Sequence, residues 1–319
     1  MMSLRHSVPL RAVLLGALAC GTSEDAASPT DATDATGDTT DMVVEPTDYP
    51  TGLSEWTLEH NGEERSYLLY VPEAASGADA LPLMMVFHGY GGTKEEMMAT
   101  SDMRALADTE SFVLLYPEGT LLEGETHWNT YPPGPGNKSE AEDYAFIDTL
   151  LDTLQASLPI DDTRVYASGY SNGGDFTYTL ACYLTDRITA IVPVSGLMWT
   201  ETQNDCVVNH PTAILSLHGD ADFVRPYGGY PQYMASVPAG LQYWAGQNGI
   251  SGDGDLTTLN KASGTVERLE LGPGDGGVEM LAYKFINGGH IWFDFEDDGV
   301  QTETLIWNFV SQFDTTGRR

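Results

Sequence analysis

The 319-residue sequence predicts an α/β fold, a mostly parallel central sheet covered by helices on both faces. From about Leu53 onward, apolar runs of strand length alternate with stretches of helical spacing, the pattern of a sheet packed between helices. Several of the runs are apolar throughout, as parallel strands buried on both faces must be. A glycine-rich turn at Gly169 to Gly174 leads from one such run directly into a helical stretch.

The elements follow in order. Trp56 to His60 and Arg65 to Val71, separated by Asn61-Gly62, read as a hairpin, because that pair tolerates the positive φ of a tight hairpin turn. Strands are then expected at Leu83 to Phe87, Phe112 to Tyr116, Arg164 to Ala167, Ala190 to Val194, Ala213 to Leu217 and Met280 to Phe285. Helices are expected at Ala141 to Leu158, where Phe146, Leu150, Leu151 and Leu154 share one face, at Asn172 to Leu184, and at Gln301 to Phe313. Ser251 to Asp255 and Gly272 to Gly277 read as loops; they lack the ligand spacing and closing Glu of an EF-hand, so turn chemistry rather than calcium explains them.

Charge narrows the classes of partner. The chain carries 14 basic and 47 acidic residues, a net of -33. Two of the basic and eight of the acidic residues precede residue 51, which leaves 12 against 39, or -27, beyond it. Such a surface repels phosphate backbones and anionic lipid, which argues against nucleic acid and against electrostatic membrane docking. Residues 1–20 read as an export signal: Arg5 and Arg11 precede a short apolar run, Ala12 to Ala19, too short to span a bilayer. Its end, Ala17-Leu18-Ala19-Cys20, resembles the lipobox of bacterial lipoproteins, although Ala17 stands where Leu is usual; the resemblance implies acylation of Cys20. Residues 21–50, rich in Thr, Asp and Ala, have too little apolar content to fold and read as a tether. Residues 51–319 are expected to form one domain, extracellular or at the cell surface.

The chemistry concentrates in three places. Gly169-Tyr170-Ser171-Asn172-Gly173-Gly174 has the strand-turn-helix context in which G-x-S-x-G lifts a serine out of the sheet. A serine hydroxyl needs a base to take its proton and an acid to orient that base. Downstream, His218-Gly219-Asp220-Ala221-Asp222 sets two candidate acids just past a buried strand, and Gly288-Gly289-His290 sets a histidine in a glycine-rich loop. A negatively charged intermediate also needs donors, and His88-Gly89-Tyr90-Gly91-Gly92 after a buried strand resembles an oxyanion loop. The backbone N–H groups of Tyr90 and Asn172 are therefore the expected donors, helped by the N-terminal dipole of the following helix.

With Tyr70-Val71-Pro72, Val86-Phe87-His88-Gly89, Trp128-Asn129, Asp143 to Ile147 and Val192 to Gly196, these segments form an ordered series. The series resembles the polyhydroxybutyrate depolymerase and feruloyl esterase family of secreted α/β-hydrolases, over about Ser66 to Phe309. The resemblance implies the α/β-hydrolase fold without a large cap domain, and a catalytic triad of Ser171, Asp222 and His290. The family's H-G-x-x-D pattern selects Asp222 over Asp220. Phe293 stands where the family commonly has Pro, so the wall near Trp292 is expected to differ. Trp128 and Trp292, with Tyr90, are candidates for lining an aromatic acyl site, and His127 beside Trp128 is a further one. In the family layout Cys182 and Cys206 approach one edge of the sheet, and export to an oxidising compartment favours a disulfide between them.

The expected activity is hydrolysis of a carboxylic ester through an acyl-enzyme, on feruloyl or acetyl esters of plant polysaccharide, with a short polyester as the alternative substrate. A non-catalytic polysaccharide-binding surface protein is the reading from another class, though no triad residue is missing. No metal or organic cofactor is expected, because backbone donors and the His-Asp pair supply the charge stabilisation.

Overall fold

The computed structural model describes residues 49–319, apart from 79, 135–136 and 262–263. Strands β1 (Gly52–His60) and β2 (Glu63–Val71) form the expected hairpin, with Asn61 and Gly62 at φ 53° and 84°. The main sheet continues with β3 (Leu81–Phe87), β4 (Val113–Pro117), β5 (Ile160–Tyr170), β6 (Ala190–Val194) and β7 (Ala213–Gly219). It is completed by β8 (Asp255–Lys261), β9 (Gly264–Leu271) and β10 (Met280–Phe285). The spatial order is β1-β2-β4-β3-β5-β6-β7-β10-β9-β8. The six strands from β4 to β10 in that order are parallel, and an antiparallel pair extends each edge.

All residues of β3, β4, β6 and β7 are buried, which explains why these runs carry no polar alternation. One apolar layer joins the sheet to α3 (Asp143–Ser157), α4 (Asn172–Tyr183) and α6 (Val237–Gln247). The opposite layer joins it to α1 (Lys94–Thr100), α2 (Arg104–Glu110) and α7 (Thr302–Val310). Successive connections from β3 leave in opposite directions, to β4 on one side and β5 on the other. In an open parallel sheet that reversal opens a crevice at the carboxyl ends of the strands, and Ser171 stands at the carboxyl end of β5 there.

Two departures from the sequence reading have a physical origin. The β8–β9 hairpin was not expected, because β8 is exposed along most of its length on both faces and so carries no alternation of apolar and polar residues. The short helices α1, α2 and α5 (Thr200–Asp205) bury too few side chains to produce a helical stripe. A disulfide joins Cys182, in the last turn of α4, to Cys206 at the end of α5. The export segment, Cys20 and the 21–50 tether up to residue 48 lie outside the described residues.

The C-terminal helix is held by aromatic packing: Trp307 of α7 stacks on Phe112 with ring centroids 3.9 Å apart and meets Tyr166 of β5 edge-on. Trp307 is buried, so Trp307→Ala is expected to lower unfolding stability by about 3–5 kcal/mol in urea denaturation followed by circular dichroism.

Candidate active site

The turn after β5 is built by close backbone approach. Ser171 has φ 53° and ψ −115°, a strained conformation for a residue with a side chain. A Cβ added at Gly169 would lie 2.4 Å from the backbone of Gly173, and one at Gly173 would lie 2.4 Å from the carbonyl oxygen of Phe87. Only glycine lets α4 start this close to β3 and β5. The Ser171 N–H donates to the Val194 carbonyl at 2.9 Å, fixing the turn against β6.

The acid and histidine loops interlock in the same way. A Cβ at Gly219 would sit 2.2 Å from the Gly288 carbonyl, so these two loops are in backbone contact. Asp220 N–H donates to Phe285 O, Ala221 N–H donates to Gly288 O, and the Asp220 carboxylate accepts from Asn287 N–H at 2.6 Å. Asp220 therefore ties the two loops together, whereas Asp222 faces His290. Asp222 Oδ2 lies 2.7 Å from His290 Nδ1, and His290 Nε2 lies 2.8 Å from Ser171 Oγ. The other Asp222 oxygen accepts the N–H groups of Val224 and Arg225 at 2.8 and 2.7 Å. A carboxylate only accepts, so the proton sits on Nδ1 and Nε2 is left to accept the serine hydroxyl. The histidine loop is pinned from below by Tyr170 Oη–H to the His290 carbonyl, 2.9 Å, and Ser195 Oγ–H to the Ile291 carbonyl, 2.8 Å.

The glycine loop after β3 lies directly over the serine. A Cβ at Gly89 would be 3.4 Å from Ser171 Cβ. Gly92 N–H closes a turn on Gly89 O, which leaves Tyr90 as its second residue with its own N–H outside that bond. Asn172 is the first residue of α4, and a first-turn amide has no intrahelical acceptor. Its side chain is occupied elsewhere: it accepts from Trp128 N–H at 2.7 Å and donates to Trp128 O at 3.0 Å. Asp143, fully buried, carries this support outward, accepting from Asn129 N–H at 2.6 Å and from Arg65 at 2.7 Å.

Comparison with known proteins bears directly on this arrangement. Residues 65–213 match the family model described as Esterase PHB depolymerase. Over 254 residues the chain is 30% identical to NocK of Nocardia uniformis subsp. tsuyamanensis, which carries an esterase name; the match covers 72% of this chain and 71% of that protein. This chain belongs to the Esterase PHB depolymerase family. It is therefore a carboxylic ester hydrolase. It is also 28% identical over 260 residues to the bifunctional acetylxylan esterase/xylanase XynS20E of Neocallimastix patriciarum, covering 80% of this chain but only 34% of that relative. The chain thus spans about a third of that relative's length. Among solved structures, an acetyl xylan esterase from Aspergillus awamori superposes with a TM-score of 0.57 at 16% identity, over 81% of this chain and 99% of that one. This likeness shows the α/β-hydrolase fold.

In this esterase, Tyr90, one of the aromatic residues expected at the substrate site, is exposed in the glycine loop, whereas Trp128, His127 and Trp292 take other positions. Trp128 is fully buried: its ring stacks on Phe176 at 4.9 Å, meets Phe87 edge-on, and donates its N–H to His88 O. It is a core residue supporting Asn172, not a pocket wall. His127 is likewise buried, with Nδ1 at 3.1 Å from Thr120 O. Trp292 is half-buried and donates its N–H to Glu303 of α7 at 3.1 Å, so its indole is held toward that helix. The exposed apolar side chains that do follow the site residues are Tyr90, Phe223 and Ile291, immediately after Gly89, Asp222 and His290. Tyr90 was expected there; Phe223 and Ile291 were not, because no hydrophobic periodicity marks them and only their neighbours in sequence could have pointed to them. A groove of about 790 Å³ between His60, Arg65, Glu118 and Lys138 does not include the three central residues in its walls. No cluster of three or more metal-ligating side chains occurs among the described residues.

Two further histidines act as neutral struts. His88 accepts Gly119 N–H on Nε2 at 2.9 Å, and its Nδ1–H donates to Gly89 O at 2.7 Å. Burial pushes its pKa from 6.5 down to about 4. Burial also lowers the pKa of His218, whose Nε2–H donates to Arg225 O at 2.7 Å. Between pH 6.5 and 4 the unfolded chain protonates at residue 88 while the folded chain does not. Stability is therefore intact above about pH 6.5 and is lost as the pH falls toward 4, by about 3 kcal/mol from His88 alone. Thermal unfolding across that window is expected to show a smaller acid loss in His88→Gln than in the wild type.

Proposed function

We propose that Ser171 is the nucleophile, His290 the general base and acid, and Asp222 the residue that orients His290 and stabilises its cationic form. The observation that carries this is the continuous hydrogen-bond chain from hydroxyl to imidazole to carboxylate, 2.8 and 2.7 Å. As Ser171 Oγ attacks the ester carbonyl, its proton passes to His290 Nε2 and the carbonyl electrons move onto oxygen. The backbone N–H groups of Tyr90 and Asn172 are the proposed donors to that oxyanion. Collapse expels the alcohol, which takes the proton from His290, and leaves an acyl group on Ser171. Water then enters, gives a proton to His290, and releases the acid by the reverse sequence.

The proposed substrates are acetyl or feruloyl esters carried on plant polysaccharide. The acetylxylan esterase/xylanase relative supports the first, and the exposed Tyr90, Phe223 and Ile291 would receive an aromatic acyl group or a polymer surface. Residues 51–319 are proposed as the catalytic domain, exported and tethered through 21–50 to an acylated Cys20; the Arg5, Arg11 and Ala12 to Ala19 pattern supports that location.

With p-nitrophenyl acetate, Ser171→Ala and Asp222→Asn are expected to lose roughly 10⁴-fold or more in kcat with the fold retained by circular dichroism. Unchanged hydrolysis by Ser171→Ala would refute the assignment. Release of ferulate from methyl ferulate and of acetate from acetylxylan, compared with solubilisation of polyhydroxybutyrate, decides the substrate; faster turnover of the polyester would overturn the polysaccharide reading.

A further inference from the structure

Outside the hydrogen-bond chain, one ion pair between a buried carboxylate and a partly buried guanidinium spans the site. Asp175 lies in the first turn of α4, its N–H bonded to Ser171 O at 2.8 Å, and its carboxylate is fully buried. Arg225 grips that carboxylate with Nη2 at 2.8 Å and Nε at 3.1 and 3.3 Å, and Leu197 N–H adds a bond at 2.7 Å. The same Arg225 donates its backbone N–H to Asp222 and accepts from His218 at its carbonyl. Its backbone thus shapes the acid turn, while its side chain holds the helix that starts at the nucleophile.

We infer that Asp175 and Arg225 are positioning residues, a clamp that sets the distance between the Asp222 turn and the Ser171 helix. The inference rests on the triad assignment proposed above. Neither side chain touches the reacting atoms; both act through Asp222 and Ser171. Stability alone does not account for the pair, because well-packed apolar residues of similar volume usually replace a buried ion pair without loss. A guanidinium fork does what an apolar contact does not: it fixes both distance and orientation. Placement errors near 1 Å are enough to cost roughly 100-fold in rate.

The test replaces the pair together, Asp175→Leu with Arg225→Met, so that no lone buried charge remains. Expected are a fall in kcat of roughly 10- to 100-fold, a KM within about threefold of wild type, and a thermal midpoint close to wild type. The acidic limb of the kcat/KM profile is expected to move to lower pH, because a displaced Asp222 stabilises the protonated His290 less. A kcat and pH profile matching wild type would overturn the inference. Should the double variant fail to fold, Arg225→Lys decides, since it keeps the charge but loses the fork. A kcat loss with the same acidic shift sustains the clamp, and wild-type kinetics rejects it. Ser171→Ala is run alongside: activity in that variant defeats the triad reading, whereas its silence together with a wild-type pair variant defeats only the clamp.

Discussion

The arrangement depends on one steric constraint, the backbone contact between the first turn of α4 and the strands beneath it. Gly169 and Gly173 meet at a distance no side chain allows, and Gly173 also abuts the end of β3. That contact forces Ser171 into its positive φ and projects its hydroxyl from the carboxyl end of the sheet. It also brings the first amide of α4 beside the glycine loop after β3, so that the two proposed oxyanion donors, Asn172 N–H and Tyr90 N–H, belong to adjoining segments. The cost of the strained turn is offset by its anchors, chiefly the Ser171 bond to Val194 and the double bond between Asn172 and Trp128.

The remaining groups are brought to that point by loops that lock to each other before they reach the serine. Gly219 against Gly288 joins the acid and histidine loops, and Asp220 fastens them. Asp222 is then free to spend one oxygen on two backbone amides and the other on His290. Tyr170 and Ser195 hold the histidine loop by its carbonyls, from the ends of β5 and β6. These supports come from the ends of strands in the rigid sheet, which is why the loop residues keep hydrogen-bond distances.

Much of this was legible because the informative signals are local. Parallel strands buried on both faces declare themselves as unbroken apolar runs, and β3, β4, β6 and β7 were read within a few residues of their bounds. Glycines that permit close contact sit beside the residue they serve, so spacing singled out Ser171 and His290, whose side chains lie within hydrogen-bond distance. The choice of Asp222 over Asp220 needed the family resemblance, since both follow the same strand. What depends on long-range packing was not legible. The β8–β9 hairpin is too exposed to be patterned, and Trp128 looked like a wall residue because sequence does not reveal that its ring is stacked inside the core. Asp175 and Arg225 are 50 positions apart, and no local pattern links them.

The central claim is that the hydroxyl of Ser171 is activated by His290. Treatment with diethyl p-nitrophenyl phosphate, followed by intact-mass measurement and peptide mapping, tests it most directly. The account predicts one diethylphosphoryl group per chain, on Ser171, and almost none in His290→Ala. Labelling at another residue, or equally fast labelling of Ser171 without the imidazole, would contradict it.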